Sequence, residues 1–286
     1  MKLATLSVGL VAVCSLFAPA AAAPASSGSK KPSDIDYTCA FRITYQLLGH
    51  LNTGDDKGGW DIPMGQHVVG YVAGIARFTT SKGTVLDVVD DYKASPNYKD
   101  EFDALYEAIK TAAKDKSAAV DKLEGFCDAW TEAAGNGGQF ATSQINVARK
   151  IYDVPTRTYV KKHAIKFPLT RAALVFVGMA HGLGDSGALL GGVIEATNAK
   201  FTADVEGESG NSVKVGTFKV DEAEWLSKFL DVSDELSNTA HKRMSDVFRG
   251  LVEDKQFKLS STLKFKGLGD KQLTFKCKKT TTSPKP

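Results

Sequence analysis

The sequence predicts a mainly helical (α+β) domain with a small β-containing part, a large helical part and an added hairpin at the C-terminal end. Three observations carry this reading. Apolar residues recur at helical spacing through most of the chain. One stretch, Val68 to Thr79, is instead β-branched and aromatic with interspersed glycines, a strand or hairpin signature. The last apolar residues, Leu263 and Phe265, then Leu273, Phe275 and Cys277, alternate with polar ones across GLGDK, Gly267 to Lys271.

Taken in order, the chain opens with Lys2, an apolar run from Leu3 to Phe17 and small residues at Ala18 to Ala23, the layout of a secretory signal peptide over residues 1–23. Residues 24–36, including PASSGSKKPSD, offer nothing to bury and read as a flexible leader. A single domain is expected over residues 37–279, with residues 280–286 a disordered tail. Phe41, Tyr45, Leu48 and Leu51 give a first amphipathic helix that stops at the turn-rich NTGDDKGG, Asn52 to Gly59. After the β-stretch, Thr84 to Tyr92 reads as a helix start. Helical patterns follow at Glu101 to Lys114, Ala118 to Ala134, Gln139 to Tyr152, Thr170 to His181 and Ala188 to Ala199. Thr170 to His181 is apolar nearly all round and should be the buried central helix. Phe201 to Val205 and Val213 to Val220 are strand-like and flank EGESGNS, so they are expected to pair as a hairpin. Helices resume at Glu222 to Ser237 and His241 to Val252.

The 286 residues, 43% hydrophobic and 24% charged, suffice for a sizeable core and exclude a disordered or fibrous chain. Signal removal leaves Cys39, Cys127 and Cys277 in an oxidising compartment. Cys127 lies in an apolar helical stretch and reads as an inert buried thiol, so the expected disulfide joins Cys39 to Cys277. A formal charge of +3 is too small to argue for nucleic acid. Lysines crowd the C-terminal segment, which is either a solvated face or a contact for an anionic cell-wall or lipid surface. No apolar run after the signal reaches a membrane span. No His/Cys cluster has metal-ligand spacing, and no cofactor is indicated.

Gly70 to Tyr92, GYVAGIARFTTSKGTVLDVVDDY, resembles the active-site segment of the family 46 chitosanases, inverting hydrolases of the lysozyme-like superfamily, whose pattern is close to D-G-R-G-Y-T-x-G-x-x-G-F-x-T-x-x-G-D-x-L-x-V-V with E-N upstream. Laid on without a gap, Gly70, Tyr71, Gly74, Phe78, Thr80, Gly83, Leu86, Val88 and Val89 match. Phe126 to Ala134, Ala172 to Gly182 and Glu224 to Leu230 are similar to three further family segments. The resemblance implies a lysozyme-like two-lobed fold, with a small β-containing lobe and a large helical lobe, over roughly Cys39 to Ser260. The family's acids do not match. Its catalytic glutamate falls on Leu51, before a matching Asn52, and its catalytic aspartate on His67. Val69, Val72 and Thr84 stand for the arginine, the water-positioning threonine and a substrate-binding aspartate. Phe176 replaces another aspartate, and Ser233 and Asp234 stand where arginines are expected.

Inverting hydrolysis needs one protonated carboxyl and one carboxylate, roughly 6.5 to 9.5 Å apart. A leucine cannot donate a proton. A histidine could act as base near neutral pH, yet His67 would lack an acid partner. The expected function is therefore that of a secreted, monomeric pseudoenzyme without catalytic residues, binding a cell-wall amino-sugar oligosaccharide or an extracellular protein, in the manner of an effector. The alternative is an active chitosanase-type hydrolase whose acids have moved to Asp55, Asp56 or Asp61, with Asp87 nearby in sequence, although acids in such a turn are often turn formers. Candidate saccharide-binding residues are Asn52, Trp60, His67, Tyr71 and His181. Asn52 can equally end the first helix, and His181-Gly182 can equally form a helix C-terminus. Val68, Val69 and Val72 would make the cleft floor apolar, while Trp130 and Trp225 read as core.

Overall fold

The computed structural model describes residues 39–55, 59, 61–136, 138–201, 212–237, 239–259 and 262–276, all within the unit Tyr37–Pro286. The expected signal peptide, leader and tail, together with Asp56, Trp60 and Cys277, lie outside them. So does the Cys39 side chain, and with it the Cys39–Cys277 pairing.

Helix α1 (Cys39–Thr53) follows the apolar spacing read from the sequence, extended by two residues at each end. Ile43, Leu47, Leu48 and Leu51 have no exposed surface. It ends where Gly54, at φ 76°, lets its N–H reach the His50 carbonyl at 2.7 Å.

The small lobe is a three-stranded antiparallel sheet in sequential order: β1 (Pro63–His67), β2 (Gly70–Ala73) and β3 (Phe78–Thr79). The strand signature therefore begins earlier than Val68, and an irregularity between Pro63 and Gln66 precedes the Gln66–Tyr71 and His67–Gly70 pairs. Gly74 turns the chain out of β2 at φ 72°, and a Cβ there would lie 2.3 Å from Gln144 Oε1 and 2.8 Å from Trp130 Cζ2. Only glycine fits this crossing of the sheet against the helices.

Helix α2 (Thr84–Lys93) starts as expected. Helix α3 (Tyr106–Asp115) starts five residues later than its apolar pattern. The reason is local: the Glu101 carboxylate accepts from Lys99 N–H and Tyr92 O–H, both at 2.9 Å, and holds this stretch in turns. Helix α4 (Phe126–Gly135) likewise begins well after Ala118, because Gly125 at φ 82° breaks the run. Helix α5 (Gly138–Ala148) passes into a π-helical turn, Arg149–Asp153, and then α6 (Val154–Lys162), an element the sequence pattern did not suggest. Pro155 sits just after the π-helical turn, in the first turn of α6, and has no N–H to give to the preceding turn.

Helix α7 (Pro168–His181) is the buried centre of the large lobe, with Leu169 and every residue from Ala172 to Gly178 buried. It packs against α1, α6, α8 (Leu190–Asn198), α9 (Glu222–Glu235) and α10 (Thr239–Glu253). Two buried carboxylates fix its start. Glu222 accepts from Lys166 N–H at 3.0 Å and Phe167 N–H at 2.8 Å, and Asp153 takes a two-pronged contact from Arg171 at 2.6 and 2.7 Å. Trp130 and Trp225 are fully buried, as expected of core residues.

Val213 to Val220 is not one strand but a complete hairpin, β4 (Ser212–Val215) and β5 (Phe218–Asp221), turning at Gly216 with φ 58°. Its expected partner strand falls largely on residues outside the described set. The C-terminal hairpin, β6 (Thr262–Lys266) and β7 (Gln272–Lys276), forms as the alternation predicts, with Leu263 opposite Phe275 and Phe265 opposite Leu273. These four side chains are buried against α1 and α10. His50, with no exposed surface, locks the joint: Leu268 N–H donates to Nε2 at 3.0 Å, so the ring carries its proton on Nδ1 and donates to the Asp55 carbonyl at 2.9 Å. Phe265 and Phe275 meet the His50 ring edge-on. The whole is a lysozyme-like two-lobed domain with an appended hairpin.

Candidate functional site

The end of α1, where the sequence resemblance leads one to expect the proton donor, contains core. Leu51 has no exposed surface. Asn52, 8% exposed, donates from Nδ2 to the Ile75 carbonyl at 2.7 Å and approaches Met179 Sδ at 3.7 Å. It ties α1 to the loop after β2 and to α7. Asp55 acts as a turn former, with Oδ2 accepting from Gly59 N–H at 2.9 Å. Asp61 is half-buried in the turn before β1.

On the small lobe, His67 is exposed opposite Gly70. Of the valines expected to make the cleft floor apolar, Val68 projects into solvent at 95% exposure, while Val72 is packed into the interior at 3%. The carbonyl of Val69 accepts from Ser81 Oγ at 2.6 Å. Tyr71 lays its ring on Phe126, centroids 4.9 Å apart. At Thr84, Oγ1 accepts from Thr79 N–H at 2.8 Å, stapling β3 to α2. Asp87, half-buried on α2, has its carboxyl raised by burial, an effect the Lys150 ammonium opposes.

At the far end of α7 lies a polar cluster that sequence reasoning missed apart from His181. His181 closes the helix, and Gly182 continues at φ 93°. Ser237 O–H donates to the Ser233 carbonyl at 2.6 Å, which leaves its oxygen to accept from His181 Nε2–H at 2.9 Å. Ser233 Oγ contacts His241 Nε2 at 2.8 Å. The two imidazoles meet edge to face at 5.0 Å. His241 is 7% exposed, and burial together with the facing His181 pulls its pKa down to about 4; burial also lowers that of His181. On the opposite side, Phe176 stacks on His241. Asp234 completes the cluster, bound at 2.7 Å by Arg249, which also reaches Asp231 and Asp246 at 3.0 Å. The signal that could have found His241 was the joint change at Phe176 and Ser233. Both residues touch the same imidazole, Phe176 by stacking and Ser233 by its hydroxyl.

The structure thus divides the candidates. Asn52 and His181 belong to α1 and α7 in the large lobe, and His67 and Tyr71 to the sheet of the small lobe; Trp60 lies outside the described residues. Among the described residues no group of three or more His, Cys, Asp or Glu could hold a metal ion, and no helix is long and apolar enough to cross a membrane. Cys127 is a half-buried free thiol, and burial raises its pKa.

Comparisons with known proteins place this arrangement. A curated chitosanase of Bacillus subtilis (strain 168) is 35% identical over 185 residues, covering 64% of this chain; the chain spans 62% of that relative's length. The crystal structure of the native chitosanase of Bacillus subtilis MY002 superposes with a TM-score of 0.64 at 27% identity, covering 84% of this chain and 99% of that one. A glutamate-to-alanine variant of the same enzyme, complexed with 6 GlcN, gives 0.62 at 26% identity over 83% of this chain and 98% of that one. The Gynuella sunshinyii chitosanase complexed with chitotetraose gives 0.64 at 19% identity, covering 84% of this chain and 99% of that one, a likeness of fold. The sequence pattern of Glycosyl hydrolase family 46 matches residues 65–267, from the start of the small lobe to the C-terminal hairpin. With most of its length under that one pattern, the chain belongs to glycosyl hydrolase family 46.

Proposed function

We propose that this chain is a secreted amino-sugar-binding protein of the family that holds its oligosaccharide without cleaving it. The observation that carries the reading is Leu51 at the end of α1, an aliphatic side chain with no proton to donate and no exposed surface. General acid–base transfer contributes typically about a hundred- to ten-thousand-fold in rate, so its loss at two positions leaves little turnover. The other family positions have been absorbed into the protein's own bonding. Thr84 staples β3 to α2, Val72 packs inward, and Phe176 faces His241. Asp55, offered as a relocated acid, spends Oδ2 on the turn.

Loss of a glutamate is compatible with retained binding, since the Bacillus subtilis MY002 variant lacking one is complexed with 6 GlcN. In this chain the exposed His67 and the half-buried Tyr71 and His181 remain to contact sugar. The test is calorimetric titration of the purified protein with a glucosamine hexamer. Saturable heat that falls at least fivefold in affinity in His67→Ala, with melting unchanged, is the expected result. An absence of heat with hexamers of both glucosamine and N-acetylglucosamine overturns the reading.

A further inference from the structure

We propose that the C-terminal hairpin is a docking face for an anionic polysaccharide, distinct from the cleft. From Lys255 to Pro286 the sequence carries nine lysines against one aspartate, a net +8 in a chain whose total is +3, so the remaining residues carry −5. A charge so divided along the sequence is not an average solvated surface; the C-terminal segment carries a charge of opposite sign to the rest.

The structure then sorts the hairpin by face. Leu263, Phe265, Leu273 and Phe275 point inward, and Thr262, Lys264, Lys266, Gln272, Thr274 and Lys276 are exposed on the outer face. The register sets Lys264 opposite Thr274, Lys266 opposite Gln272 and Lys276 opposite Thr262, so no two ammonium groups stand directly across from one another. The one acid of the segment, Asp270, lies in the connecting turn, where it pairs with Lys266 at 2.8 Å. Lys264 and Lys276 are left as diagonal neighbours on a flat ribbon flanked by hydroxyl and amide donors. Guarding an exposed strand against edge pairing needs only a lysine or two, whereas here the basic run extends on both sides of the hairpin.

The chemistry of that face selects the partner. A membrane-surface element buries apolar or aromatic side chains at the headgroup boundary, and single-stranded nucleic acid is held by stacking on aromatics. The outer face has neither. Ammonium groups with interspersed hydroxyl and amide donors suit a polymer bearing carboxylates or sulfates along a hydroxyl-rich chain.

The test titrates the purified protein with heparin and with polygalacturonate at 50 and 200 mM NaCl, comparing the wild type with the double variant Lys264→Gln, Lys276→Gln and with Lys110→Gln on α3 as a control. Circular dichroism melting confirms that each is folded. The expected result is binding to at least one of the two polymers that weakens with salt, drops at least fivefold in the double variant with a salt slope shallower by about two, and is unchanged in Lys110→Gln. Binding of glucosamine hexamer should be the same in all three, which separates this face from the cleft. Equal affinity of the double variant and the wild type, no binding to either polymer, or tighter binding to phosphatidylserine vesicles or duplex DNA at the same salt would each overturn the proposal.

Discussion

The ring of Phe176 lies flat on the imidazole of His241, centroids 4.7 Å apart and planes 16° from parallel. By the resemblance read from the sequence, Phe176 and Ser233, the latter hydrogen-bonded to the same imidazole, are expected to stand where the family carries an aspartate and an arginine. This stacked contact joins α7 to α10, beside the Asp234–Arg249 ion pair that links α9 to α10.

Restoring the acid alone should therefore cost stability. Phe176→Asp buries a carboxylate against the His241 imidazole and removes a ring that is 1% exposed. The expected loss is about 3–5 kcal/mol, read as a fall in the denaturant midpoint, with no gain of hydrolysis.

The His241 imidazole gives stability a pH dependence of defined sign. Its folded pKa, about 4, lies below the ordinary 6.5. Between those values the unfolded chain binds the extra proton, so the unfolding free energy falls as pH drops from 6.5 towards 4 and is flat above 6.5. The full span is roughly 3 kcal/mol. Denaturant titrations at several pH values should show this slope in the wild type and a shallower one in His241→Gln.

His50 holds the appended hairpin to α1 through Leu268 N–H and the Asp55 carbonyl. In His50→Ala both partners lose their bond and the edges of Phe265 and Phe275 face a void. A destabilisation of about 2–4 kcal/mol is expected, with hydrogen exchange at Leu268 accelerated beyond the general effect.

Of the two arginines on buried Asp153, Arg171 should matter far more. It binds both carboxylate oxygens within 2.7 Å, whereas Arg157 touches one at 3.2 Å from the neighbouring turn. Arg171→Met should cost about 3 kcal/mol by stranding a buried charge, and Arg157→Met under about 1 kcal/mol, as measured by urea unfolding.

Gly74→Ala is expected to be among the most damaging single-methyl changes. Its Cβ would overlap Gln144 and Trp130, both fully buried. A loss of about 2–4 kcal/mol in thermal or urea unfolding is expected.

Much of this fold was legible because its periodicities are strong. The all-round apolar character of Thr170 to His181 and the alternation of Leu263 to Phe275 each name one burial pattern, and each appears as read. The misreadings share a cause: local polar chemistry or a left-handed glycine overrode an apolar pattern, as at Glu101, Gly125 and Gly216. The π-helical turn before α6 has no periodic signature, and the partner of its Asp153, Arg171, lies eighteen residues away. At the site, the replaced residues could be named from the sequence, but their new partners could not. That Thr84 would staple a strand, or that Phe176 would find His241, depends on contacts between elements far apart in the chain.

The most direct test of the central claim is reducing-end release from chitosan by the purified wild-type protein, in parallel with Asp55→Ala, Asp56→Ala, Asp61→Ala and Asp87→Ala. With Leu51 sealed in the core, the expected rate is indistinguishable from buffer for all five. Sustained wild-type release that one of these substitutions abolishes would contradict it.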